Sequence, residues 1–136
     1  MIKIFLSLFV FIILVYGCSS SDSVTQLGGK EWNVTSIMGK TLTAEEQKNG
    51  LPSLNFSDNG KLFGSTGCNT FAGSYKLSGT SLSLEPGSMT KMFCPESTEQ
   101  NFLNAINKVT NVKMDGSTLN LLDGATNVMT LIPKDN

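Results

Sequence analysis

From Trp32 onward the chain alternates apolar and polar residues in short stretches separated by turn residues, the period-two signature of half-buried strands. Trp32 and Val34 share one face of a first strand in EWNVTSIM, which Gly39 breaks. The polar run TLTAEEQKNG reads as one helical turn or a loop. Leu54 and Phe56 alternate in PSLNFS, and Asp58-Asn59-Gly60 is a tight-hairpin signal that returns the chain into KLFGST. Phe71, Gly73, Tyr75 and Leu77 then occupy alternate positions. Ser78-Gly79 turns the chain into SLSLE, which Pro86-Gly87 is expected to end. The period changes once. Phe102, Leu103, Ile106 and Val109 recur at three- and four-residue spacing between Pro95 and Val109, which predicts an amphipathic helix covering the sheet. Ser97 with Gln100 has the form of a capping box, and Pro95 suits a first turn. Strands resume at Val112–Met114, Leu119–Leu121 and NVMTLI, with turns at Asp115-Gly116 and Asp123-Gly124.

The pattern predicts a mainly β fold of about eight strands, with one α-helix inserted between the fifth and sixth. A meander of hairpins with this many turns removes its exposed edges by closing into a small antiparallel barrel. A two-sheet sandwich is the alternative. Eight strands leave an interior that side chains just fill, or one that holds a small ligand.

Residues 1–17, MIKIFLSLFVFIILVYG, break the strand pattern altogether and read as a secretory leader. Lys3 supplies the basic start, and the apolar run from Ile4 to Tyr16 is interrupted only by Ser7. That run is short of the roughly 20 residues a spanning helix needs. It ends in Val15-Tyr16-Gly17-Cys18, which resembles the lipobox of bacterial lipoproteins, with Tyr16 a departure from the usual small residue. The resemblance implies cleavage before Cys18, lipidation of its thiol, and a membrane anchor made of acyl chains. Residues 18–27 then form a polar tether and 28–134 a single domain. Ser19, where an aspartate often marks inner-membrane retention in enteric bacteria, points to the outer membrane with the domain in the periplasm. Asp22 alone argues for display on the outer surface.

Net charge is −1, and all ten basic residues are lysines; histidine and arginine are absent. Without arginine forks, a nucleic-acid partner is not expected. Without histidine, Ser-His-Asp and Cys-His catalysis are excluded, and the commonest metal ligand is missing. No dinucleotide, P-loop or HExxH pattern occurs. The expectation is a protein with no catalytic residues, no metal and no cofactor. Glu45-Glu46 and Glu96/Glu99 read as solvated faces.

The remaining chemistry lies in two segments. Gly67-Cys68-Asn69-Thr70-Phe71-Ala72-Gly73-Ser74-Tyr75 and Met89-Thr90-Lys91-Met92-Phe93-Cys94 together resemble the paired signature of the META/HslJ family, GCN-x-(F/Y)-x-G-x-Y followed by T-(K/R)-M-x-C and a helix. The resemblance covers roughly residues 27–133. It implies a barrel of lipocalin-like topology with one helix, often on a bacterial lipoprotein. It also implies association with heat or envelope stress and tolerance of some antibiotics such as novobiocin, in a family for which no enzymatic activity is established. The motif residues Gly67, Asn69, Phe71, Gly73, Tyr75, Met89, Thr90 and Met92 carry over as structural determinants.

Read individually, Gly67 and Gly73 permit tight turning or close approach of a neighbouring strand. Asn69 and Thr90 suit hydrogen bonds to turn backbone, with ligand contact the alternative. Phe71, Tyr75, Met89, Met92 and Phe93 are expected in the core or under the helix, the rival being an adaptable Met/Phe binding patch. With Cys18 committed to lipid, Cys68 and Cys94 are expected to form a disulfide, with Cα atoms about 4.4–6.8 Å apart. A metal site and two buried free thiols are the rivals.

Three functions fit. The leading one is a lipid-anchored, non-enzymatic envelope protein supporting stress tolerance by binding or structural action. The others are a carrier of a small apolar ligand in the barrel interior, and a module that docks or inhibits an envelope protein.

Overall fold

A computed structural model describes residues 27–135; the leader, Cys18 and the tether up to residue 26 lie outside the described residues. Nine strands and one helix follow in the order β1 (Glu31–Ile37), β2 (Lys40–Thr41), β3 (Ser53–Phe56), β4 (Lys61–Ser65), β5 (Thr70–Ser78), β6 (Ser81–Met89), α1 (Glu99–Lys108), β7 (Asn111–Asp115), β8 (Thr118–Asp123) and β9 (Thr126–Pro133). Every strand pairs antiparallel with its neighbours, and β1 pairs with both β3 and β9, so the sheet closes into a barrel. The mainly β barrel expected from the periodicity is therefore present.

The strand count and the helix position differ by one from expectation. Met38 and Gly39, both with positive φ, fold Lys40–Thr41 back on Ser36–Ile37 as a two-residue strand. Two residues carry no detectable alternation, so β2 has no sequence signal. The helix accordingly lies between β6 and β7 rather than between strands five and six.

A second difference concerns Pro86-Gly87, which interrupts β6 without ending it. The register of β5 on β6 shifts between Ala72 and Ser74, leaving a bulge at Pro86-Gly87 opposite Gly73. A bulge tolerates proline because no ladder N–H is required there. A Cβ on Gly73 would overlap the Glu85 carbonyl oxygen and lie 2.6 Å from the Pro86 carbonyl, so the two backbones touch at this point. Gly73→Ala is therefore expected to lose about 2 kcal/mol of stability by prising the strands apart, read as a lower urea midpoint. An unchanged midpoint would mean that the bulge can open freely.

The core follows the alternation. Trp32 and Val34 of β1, Leu54 and Phe56 of β3, Leu62, Phe71, Leu82, Val112, Leu119, Leu121, Met129 and Leu131 all point inward and are buried. Leu27, expected to end the tether, is also buried, and its carbonyl accepts the Trp32 indole N–H at 3.3 Å. An isolated leucine beside polar residues gives no periodic signal, which is why it read as tether.

Strands β6 and β7 meet only at Ser81–Asn111 and then diverge. The helix α1 packs in that gap against β6, β1 and β9, and buries Phe102, Ala105 and Ile106. Phe102 meets Phe71 at a tilt of 48°, with ring centroids 5.8 Å apart. Helix α1 starts at Glu99, and its cap position, Thr98, makes no side-chain cap bond, so the expected Ser97–Gln100 box and first-turn Pro95 are not realised. The Thr98 hydroxyl is taken by the Thr66 carbonyl at 2.9 Å instead. A tertiary acceptor has outcompeted the local one. Trp32, Phe56, Leu62, Phe102, Leu119, Leu121 and Met129 are each 0–1% exposed, so they border no void that admits even a water. Side chains fill the barrel.

Candidate functional site

The two motif segments meet at one end of the barrel. Residues 66–69 link β4 to β5, and residues 90–98 form a strap from β6 to the helix. Gly67 has φ +89°, and a Cβ there would lie 2.6 Å from the Thr98 hydroxyl, so this turn demands glycine on both conformational and steric grounds. Thr66 closes the loop: its N–H donates to the Asn69 carbonyl at 2.8 Å, and its hydroxyl accepts the Asn69 N–H at 2.9 Å.

Cys68 and Cys94 are joined as a disulfide, with Cα atoms 5.9 Å apart. The metal and free-thiol alternatives are thereby set aside for this pair. Among the described residues no cluster of His, Cys, Asp or Glu could hold a metal ion.

Asn69 sits beside the bridge, buried, and uses its whole carboxamide. Its Oδ1 accepts the Met92 N–H at 2.6 Å and the Thr90 hydroxyl at 2.9 Å. Its Nδ2 donates to the Met92 carbonyl at 3.2 Å and to Glu99 Oε2 at 2.8 Å. The amide thus pairs with both backbone groups of Met92, as a neighbouring strand would. The acceptor set also fixes which end of the amide is oxygen, since only Oδ1 can receive the Met92 N–H. Thr90 completes the link by accepting the Thr70 N–H at 3.1 Å. Asn69 and Thr90 thus hold strap and strand backbone together.

Glu99 is the residue that the sequence reading missed. It was expected in solvent, but its Oε2 accepts both Asn69 Nδ2 and the Thr66 hydroxyl, the latter at 2.6 Å. Its place in the first turn of α1 also puts a carboxylate at the positive end of the helix dipole. A first-turn acid is the available sequence signal, although nothing in it points to Asn69. Thr66 and Thr98 were missed for the same reason: their partners are 33 and 32 residues away.

The other motif residues do not join this clasp. Phe71 and Met89 are cross-strand neighbours facing the core, as expected. Gly73 lies at the bulge. Tyr75, further along β5, donates its hydroxyl to the Ser57 carbonyl at 2.6 Å and meets Phe56 edge-on. Burial first, then the Asp58 charge, raises its pKa above the ordinary phenol value. Met92 and Phe93 contradict expectation: they are 62% and 91% exposed rather than packed in the core. Asn69 draws the Met92 backbone inward and the bridge does the same to Cys94, which leaves the two side chains between them directed outward.

The clasp is chemically a fastener. Its one carboxylate is occupied by two donors, its thiols are bonded to each other, and its hydroxyls serve backbone, amide and that carboxylate. No buried side-chain nitrogen or oxygen among the described residues lacks a partner.

Comparison with known proteins agrees with this architecture. An NMR structure described simply as that of a protein is 25% identical, with a TM-score of 0.62 over 79% of this chain and 91% of that one. An NMR structure of a protein from Burkholderia xenovorans is 23% identical, with a TM-score of 0.62 over 81% and 85% of the two chains. A DUF4847 family protein from Bacteroides vulgatus shares the fold at 15% identity, with a TM-score of 0.58 over 81% and 96%. No curated protein matches the chain. The family model for the META domain matches residues 25–136. With the GCN loop, the strap and the helix in place on a closed barrel, the chain belongs to the META domain family.

Proposed function

We propose that this META protein is a lipid-anchored, non-enzymatic component of the bacterial envelope, held at the outer membrane through Cys18 with its barrel in the periplasm. The carrying observation is the Cys68–Cys94 disulfide, which fits a compartment outside the cytoplasm, where such bonds persist. The leader and the lipobox-like Val15-Tyr16-Gly17-Cys18 support the same address. The tightly buried core residues support action through the surface and the rigidity of the barrel over carriage of a ligand. The role that fits is support of the envelope under heat or chemical stress.

Cys18→Ser is expected to shift the protein out of the membrane fraction or to leave uncleaved precursor, as read by fractionation and mass. A variant that remains mature and firmly membrane-bound would rule out the anchor. Deleting the gene is expected to raise sensitivity to heat, detergent and hydrophobic antibiotics. Unchanged survival in all three would remove the stress role.

A further inference from the structure

We infer that the Met92-Phe93 tip of the strap, with the outer flank of β4 beside it, is a membrane-contact surface that rests the barrel against the lipid bilayer. The tip is built to stay exposed. Asn69 holds the Met92 backbone at its N–H and its carbonyl, and the disulfide holds Cys94, so Phe93 stands 91% exposed between two fixed points. A flexible loop would fold such side chains back onto the protein; this one is prevented from doing so. A second apolar exposure lies on the barrel wall. Phe63, at the middle of β4, is 43% exposed and borders an open depression of about 560 Å³ that Ala72, Ser88 and Met89 also line. Exposed lysines stand at both ends of this line, Lys61 at the start of β4 and Lys91 beside Met92. Aromatic and thioether side chains flanked by lysines match an interface with an acyl region below and anionic headgroups above.

What selects lipid as the occupant is the point at which the proposed anchor joins the barrel. This argument rests on the proposed anchor at Cys18. Eight residues lie between Cys18 and Leu27, so the barrel is held within about 30 Å of the bilayer. The chain enters at Gly28, which bridges to Phe56, and Phe56 pairs with Leu62 beside Lys61. The tip lies past the other end of β4, near Ser65, with Phe63 between. Gly28, Phe63 and the strap therefore follow one flank, and β4 covers only about 13 Å of it. Lying on that flank brings all three to the membrane with tether to spare.

The test uses the full lipidated chain in vesicles of phosphatidylethanolamine and phosphatidylglycerol, carrying Phe93→Trp. Phe93 makes no core contact, so the substitution leaves the fold intact, and the native Trp32, 1% exposed, supplies the baseline in the parent protein. The introduced indole is expected to emit at shorter wavelength than in detergent-free solution. Most of its added emission should be lost to lipids brominated on their acyl chains, and little to aqueous acrylamide. Flotation of the same sample reports the anchor separately. If the protein floats with the vesicles but the indole is quenched by acrylamide and not by brominated lipid, the contact surface is refuted while the anchor stands, and the tip is left for a protein partner. If the protein does not float at all, both readings fall together.

Discussion

Breaking the Cys68–Cys94 bridge, by reduction or by replacing both cysteines with serine, is expected to lower stability by about 3.5 kcal/mol. The bridge joins residues 26 apart in sequence, and its main effect is to deny the unfolded chain the conformations in which that loop is open. The native state should change little. Asn69 still pairs with the Met92 backbone after reduction, and the Thr98 hydroxyl still holds the Thr66 carbonyl, so the strap keeps its place. The loss therefore stays near the chain-entropy figure instead of exceeding it. Two features of urea unfolding identify this mechanism. The midpoint falls, and the denaturant dependence steepens, because the reduced unfolded chain is more open and exposes more surface. A midpoint that does not move on verified reduction would show that the bridge contributes nothing to stability.

Asn69→Ala should cost about 3 kcal/mol, and by the opposite route. The carboxamide makes four hydrogen bonds at or below 3.2 Å from a buried position, one of them to a carboxylate. Each is worth about 1 kcal/mol net, with the charged partner counting for more. Water can reach part of the strap and recover some of this, which keeps the total below the simple sum. Here the native state loses contacts and the unfolded chain is untouched, so the midpoint falls with the denaturant dependence unchanged. Asn69→Asp adds a pH signature. It replaces the donor facing Glu99 with a second carboxylate, so the pair holds a proton more tightly when folded than when unfolded. A folded pKa raised above the unfolded value of about 4 gives stability that is present at lower pH and lost as pH rises. The deficit relative to the parent protein should thus shrink on acidification. A deficit independent of pH would show that the two carboxylates do not face each other.

Much of the fold was legible because period-two alternation survives wherever a strand has one buried face. Trp32/Val34, Leu54/Phe56 and Leu119/Leu121 all pointed to the core correctly. Pro86-Gly87 misled because proline and glycine mark both strand ends and bulges. Only the strand opposite decides between them, and Gly73 there supplies the room. Of the site, Gly67, Cys68, Asn69, Thr90 and Cys94 could be named in advance, while Thr66, Thr98 and Glu99 could not. Isolated polar residues carry no periodicity, and these partners lie thirty or more residues away. Met92 and Phe93 failed in the other direction: residue type argues for burial, yet backbone hydrogen bonds made by Asn69 overrule it.

By itself the sequence determined the strand class, the single helix, the residues that fill the barrel, and the lack of histidine and arginine, since each depends on residue type and local spacing. The tertiary structure alone decided that the sheet closes through β1 and β9, that the helix plugs the gap where β6 leaves β7, and that Glu99 turns inward while Phe93 turns outward. The division has one physical cause. Burial of a periodic face is a local pattern with a global reward, whereas ring closure and polar pairing join residues remote in sequence, whose meeting no local pattern encodes.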